Sequence, residues 1–158
     1  MSVALVREYL RPFGLDDRIL EFDVSSATVE LAAKALGTEG ARIAKTISLY
    51  DKDGGCLLVV CAGDCKIDNA KFKARFGFKP RMLSPDDALL MTGHAVGGVC
   101  PFALAQKIPV YLDVSLQRFD TVFPAAGSAS SAVRLSCDEL SAASAATGWE
   151  DVCRPKEA

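Results

Sequence analysis

Two apolar runs, residues 46–50 and 57–62, flank the polar stretch Asp51-Lys52-Asp53-Gly54-Gly55. No other feature constrains the fold as much. Aspartates and a glycine pair between two β-prone runs close a hairpin, so the runs must pair antiparallel. Both arms are apolar enough to be largely buried. Helices and strands alternate irregularly around this hairpin, without the spacing of regular βαβ units. The chain therefore reads as an α+β domain with a mixed, curved sheet.

The other elements follow from local signals. Residues 3–10 form an amphipathic helix that ends near Pro12 and Gly14. Residues 19–24 form a strand. Residues 28–36 form a helix, preceded by capping hydroxyls at Ser25 and Ser26 and stopped by Gly37. Asp68 caps a short basic helix ending at Gly77, and Ser84-Pro85-Asp86-Asp87 opens a helix that ends at Gly93. Strands are expected at 110–112, 120–123 and, as the last, 133–135. Ser136 and Glu139 form a capping box that opens an alanine-rich helix stopping near Gly148.

A chain of 158 residues, half of them hydrophobic and 24% charged, suits one globular domain spanning 1–158. No apolar run approaches the ~18 residues needed to span a bilayer. The first residues lack the pattern of a secretory signal, so a cytoplasmic protein is expected, with no membrane partner. In that compartment the six cysteines stay reduced. They include no Cys-x-x-Cys, and His94 is the one histidine. Zinc ligation is therefore not expected, and the thiols read as small buried apolar groups. No cofactor is called for.

The net charge of −2 and pI of about 5.4 argue against a grip on long duplex nucleic acid. A nucleic-acid end held by a few local contacts is compatible with them. Lys66, Lys71, Lys73, Arg75, Lys79 and Arg81 read as a solvated helix face.

Residues 92–102 contain the run Gly97-Gly98-Val99-Cys100-Pro101. Two glycines admit a close approach to the backbone, and Pro101 stiffens the exit. One reading is a tight turn. The other is a rigid loop whose N–H groups cradle an oxyanion or an ester carbonyl.

The order of short stretches along the chain resembles the YbaK/prolyl-tRNA-synthetase-associated domain family. The matching stretches are 28–33, Ile43-Ala44-Lys45-Thr46, 59–64, Ser84-Pro85-Asp86, 97–102, 109–113 and Ala126-Gly127-Ser128. The resemblance implies a mixed sheet curling toward a barrel, surrounded by helices. It also implies a trans-acting aminoacyl-tRNA deacylase, which hydrolyses the ester of a mischarged tRNA such as a Cys- or Ala-tRNA(Pro). The implied partners are the tRNA acceptor end and an aminoacyl-tRNA synthetase. An alternative is a non-catalytic module that binds a tRNA end or a synthetase.

Residue by residue, the resemblance makes Lys45 the essential lysine, an electrostatic contact to the phosphate or ribose of the tRNA end. Gly97, Gly98, Val99, Cys100 and Pro101 match the family's Gly-x-x-x-Pro loop, whose amides polarise the ester carbonyl. Gly127 and Ser128 match a second turn lining the pocket, and Thr46 adds a hydroxyl. Water is the implied nucleophile. A covalent mechanism through Cys100 and His94 is the rival. Ala132 stands where several Cys-specific members carry an aspartate, and Arg134 where an acidic residue is frequent. The resemblance therefore stops short of Cys-tRNA specificity.

Overall fold

The computed structural model describes residues 2–156. The expected hairpin is present: β2 (Ile43–Tyr50) pairs antiparallel with β3 (Cys56–Ala62), from Ala44 opposite Ala62 to Tyr50 opposite Cys56. Asp51 closes the turn. Its Oδ1 accepts from the N–H groups of Asp53 and Gly55 at 2.8 and 2.9 Å, and Gly54 adopts φ +89°.

This hairpin is the centre of a five-stranded sheet ordered β6-β2-β3-β5-β8, with β5 at Val110–Asp113, β6 at Phe123–Pro124 and β8 at Gly148–Glu150. Every pairing outside the hairpin is parallel, so the sheet is mixed. Leu58, Val59, Val60 and Leu112 are fully buried, as expected of central strands covered on both faces. Two antiparallel ribbons flank the sheet. One joins β1 (Ile19–Glu21) to β7 (Ser131–Val133), the other β4 (Cys65–Ile67) to β9 (Cys153–Pro155).

The helices are α1 (Ser2–Leu10), α2 (Val29–Leu36), α3 (Asn69–Phe76), α4 (Pro85–Thr92) and α5 (Cys137–Ala143). Asp68 and Ser84 cap α3 and α4, and the Ser136–Glu139 capping box opens α5, as their sequences imply. Four expectations need correcting. Thr28, rather than Ser25 or Ser26, caps α2 by accepting from the Leu31 N–H. Strand β1 ends at Glu21 rather than at 24, and β6 starts only at Phe123, where the expected strand ended. The strand expected at 133–135 lies at 131–133 and is not the last, since β8 and β9 follow it, and Leu135 makes only an isolated bridge with Val122. Finally, α5 stops at Ala143, and Gly148 starts β8 rather than ending a helix.

The outer edge of β2 is paired in two separate places. At its start, Ile43 and Ala44 lie against Phe123 and Pro124 of β6. At its end, the Leu83 N–H donates to the Ser48 carbonyl (3.0 Å) and the Tyr50 N–H to the Arg81 carbonyl (2.9 Å). Between these, no strand lies against residues 45–47 on that side among the described residues. Tyr50 fixes the far end. Its hydroxyl donates to Asp87, accepts from the Ser84 N–H, and so anchors the start of α4 beside β2.

Asp113 ends β5 as a buried carboxylate that accepts from the N–H groups of Ser115 (2.9 Å) and Val152 (3.0 Å). Asp113→Ala leaves the buried Val152 N–H without its acceptor. The variant should lose about 1–3 kcal/mol in urea unfolding, with the m-value unchanged.

Candidate active site

A cavity of about 390 Å³ opens at the break in the β2 edge. Strand β2 contributes residues 43–48. Helix α2 contributes Val29 and Ala32, the start of α4 Pro85 and Ala88, the glycine loop Val96, Gly97 and Val99, and the β6 region Phe123 and Ala125. The walls are mainly apolar. Lys45 is the one charged residue lining it, and no aspartate or glutamate does so among the described residues.

Of the residues singled out in the sequence, Lys45, Thr46, Gly97 and Val99 meet at this cavity. Gly98, Gly127 and Ser128 support its wall. A Cβ built on Gly98 would lie 2.7 Å from the backbone N and Cα of Ser128. The two turns thus touch backbone to backbone, and only glycine fits. Gly97 has φ +96°, and its Cβ would meet Ala27 at 3.1 Å and Ala129 at 3.4 Å. The Ser26 N–H donates to the Ala129 carbonyl at 2.6 Å, joining the start of α2 to the same turn. Gly98 cannot offer its own amide to a ligand, because that N–H donates to the Ala95 carbonyl at 2.9 Å. Pro101 is buried and lines a second, wider groove of about 690 Å³ with Tyr9, Ala103 and Ala145.

Cys100 lies off the cavity. It is fully buried, and burial pushes its thiol up to about 12. The His94 Nε2 is 3.6 Å from the sulfur, but the same nitrogen is 2.7 Å from the Phe102 carbonyl oxygen. A carbonyl only accepts, so Nε2 carries the hydrogen and cannot take the proton of the thiol. Burial also lowers the pKa of His94, which keeps the imidazole neutral. Thr92 braces it: the His94 N–H donates to the Thr92 hydroxyl, which in turn donates to the Ala88 carbonyl. The Cys–His pair is a packing arrangement, not a nucleophile and its base.

Lys45 is half-buried opposite Cys61 on β3. Burial lowers its pKa. The ammonium of Lys156, just past β9, acts in the same direction, and Cys61 opposes it. Lys156 lies outside the cavity lining but near Lys45, held by its N–H donating to the Asp64 carbonyl at 2.8 Å. No motif in the sequence marked this residue. The basic stretch around α3 is partly consumed internally: Lys71 pairs with Asp151 at 3.0 Å and Arg75 with Glu150 at 2.8 Å. It is also not one helix face: only Lys71, Lys73 and Arg75 lie on α3, Lys66 sits in β4, and Lys79 and Arg81 follow the helix.

Several known proteins are similar to this chain. A family model for the aminoacyl-tRNA editing domain matches residues 23–143. The YwhH protein of Bacillus subtilis (strain 168), itself uncharacterized, is 50% identical over 99% of this chain and 100% of its own length. The proline–tRNA ligase of Citrifermentans bemidjiense is 30% identical over 91 residues, which are 57% of this chain and 16% of the ligase. A crystal structure described as a proposed trans-editing enzyme for prolyl tRNA synthetase superposes with a TM-score of 0.87. It is 27% identical and covered over 98% of its chain and 99% of this one.

Gly98→Ala forces a methyl group into the backbone of the 127–128 turn. The expected cost is roughly 1–3 kcal/mol, read as a fall in Tm. Ala at position 97 meets side-chain methyls instead, but its left-handed φ adds strain of about 1 kcal/mol. With these turns and the matched residues in place, the chain belongs to the aminoacyl-tRNA editing domain family.

Proposed function

We propose that this chain is a trans-acting aminoacyl-tRNA deacylase that hydrolyses the ester between a small uncharged amino acid and the terminal ribose of a tRNA. The observation that carries this reading is the cavity itself. It sets Lys45, the one charged residue of its lining, at the edge of an apolar chamber shared with Gly97 and Val99, with the lysine side chain on the face of β2 that Cys61 shares. Such a chamber fits an ester whose acyl side is apolar and whose alcohol side is anionic.

In this reading the Lys45 ammonium meets a phosphate or the ribose of the acceptor end. Lowered dielectric strengthens that contact. The amides of Gly97 and Val99 point the loop's partial positive charge at the acyl carbonyl and hold the oxyanion of the tetrahedral intermediate. A water oxygen adds to the acyl carbon and the carbon–oxygen bond to the ribose breaks. The proton from water ends on the ribose oxygen, giving free amino acid and uncharged tRNA. Cys100 takes no part, because its thiol is buried away from the cavity and protonated at neutral pH.

The limited discrimination of a synthetase explains why such an activity is useful. A synthetase pocket separates amino acids that differ by one methylene only ~10–200-fold. A second chamber that admits the small mistake and hydrolyses it supplies further discrimination.

Single-turnover assays on a panel of mischarged tRNAs test the reading. Lys45→Ala should lose at least about 100-fold in rate on the preferred substrate while keeping its Tm within a few degrees. Cys100→Ser should stay within about tenfold of the wild type. Wild-type rates in Lys45→Ala, or a trapped acyl-enzyme on Cys100, contradict the proposal. Tight binding of the acceptor end with no hydrolysis of any substrate would identify a non-catalytic binding module.

A further inference from the structure

We propose that the break in the outer edge of β2 recognises the aminoacyl unit of the substrate, which docks against Thr46 as a strand of one residue. The Thr46 carbonyl accepts from the substrate's α-ammonium, and the Thr46 N–H donates to its acyl carbonyl oxygen. The proposal deepens the deacylase reading and rests on it for the identity of the ligand.

Backbone polarity fixes which way Thr46 faces. Residues along a strand point their N–H and C=O groups alternately to the two sides. Ser48 accepts from Leu83, and Tyr50 donates to Arg81, both across the outer edge. Ala44 lies against β6 on that edge. Thr46 belongs to the same even-numbered set, so its N–H and C=O also face outward. They fall in the interval between β6 and residues 81–83, where no strand pairs with β2. Opposite Val60 it occupies a position whose backbone groups point away from β3.

The cavity fills that interval. Its lining includes Thr46 together with both flanks of the break, Phe123 and Ala125 on one side and Met82 and Leu83 on the other. Unpaired backbone groups inside a largely apolar wall are costly unless something meets them. The Thr46 Oγ1 is itself buried without a hydrogen bond.

The chemistry of an aminoacyl ester matches this vacancy. Its ammonium, Cα and carbonyl are one residue's worth of backbone. A residue that exchanges both bonds with its neighbour is the unit of an antiparallel ladder. The cavity lining has no carboxylate among the described residues, so an α-ammonium must be met by neutral acceptors. Lys45 does not oppose it directly. Neighbouring residues in a strand project their side chains to opposite faces, and Lys45 shares its face with its partner Cys61. The side chain of the amino acid then projects on the face of β2 that carries the Thr46 side chain, and the ester carbonyl comes within the field of the glycine loop.

Two non-hydrolysable probes test the pairing without depending on catalysis. One is 3′-deoxyadenosine carrying alanine through a 3′-amide. The other carries lactic acid, in which a hydroxyl replaces the ammonium at nearly equal size. Each is titrated at pH 7 into ¹⁵N-labelled protein with the Thr46 amide followed by NMR. The pairing predicts that the alanyl probe binds at least about tenfold more tightly, since a charge-assisted bond is roughly twice as strong as a neutral one. It also predicts that the Thr46 amide proton moves downfield on saturation. Equal affinities, or a Thr46 amide that does not move while the probe binds, overturn the pairing. Hydrolysis of mischarged tRNA, measured separately, judges the deacylase reading alone.

Discussion

Backbone pairing along β2 is the interaction on which the rest of this structure depends. One edge of the strand is fully engaged with β3 through seven residue pairs, and that hairpin organises the sheet. The other edge is engaged only at its ends, by β6 and by residues 81–83. The same strand therefore provides the centre of the core and the floor of an open chamber. Lys45 and Thr46 sit where those two roles meet. Had one continuous strand covered the outer edge, the fold would be better paired and the chamber filled.

The walls of the chamber are held by contacts that tolerate little change. Gly98 lets the glycine loop rest directly on the 127–128 turn, and the Ser26 N–H ties the approach to α2 to that same turn. Three segments distant in sequence are thus fixed to one another through backbone atoms. His94 and Cys100, which resemble catalytic groups on paper, serve this frame. The imidazole donates to the Phe102 carbonyl and packs beneath the loop, while Thr92 holds its backbone. Rigid support of this kind is what preorganised amides require, because donors that must reorganise during the reaction stabilise charge poorly.

Much of this was legible in the sequence, and the rest was hidden for definite reasons. The hairpin, the caps at Asp68 and Ser84, and the capping box at Ser136 carry local signals that the structure keeps. Ser25 and Ser26 misled because several hydroxyls precede α2, and only the Thr28 side chain reaches the Leu31 N–H. Strands β6, β8 and β9 have two or three residues each, too few to show a period of two. They exist because neighbouring strands recruit them. Lys45, Gly97 and Val99 were found through the family pattern. That Gly98 and Ser128 act as support, and that Cys100 and Pro101 turn away, depends on loop geometry that no spacing encodes. The interval beside Thr46 depends on which distant segments fail to meet, and so it leaves no mark in the sequence at all.

The central claim is that the chamber at the interrupted edge of β2 holds the aminoacyl group. Photolabelling tests it most directly, using an adenosine 3′-amide of an amino acid with a diazirine side chain, followed by peptide mapping. The account predicts crosslinks within 43–48, 96–99 and 123–125, lost in competition with the unlabelled alanyl amide. Crosslinks confined to the second groove, at Tyr9 and residues 103–109, would contradict it.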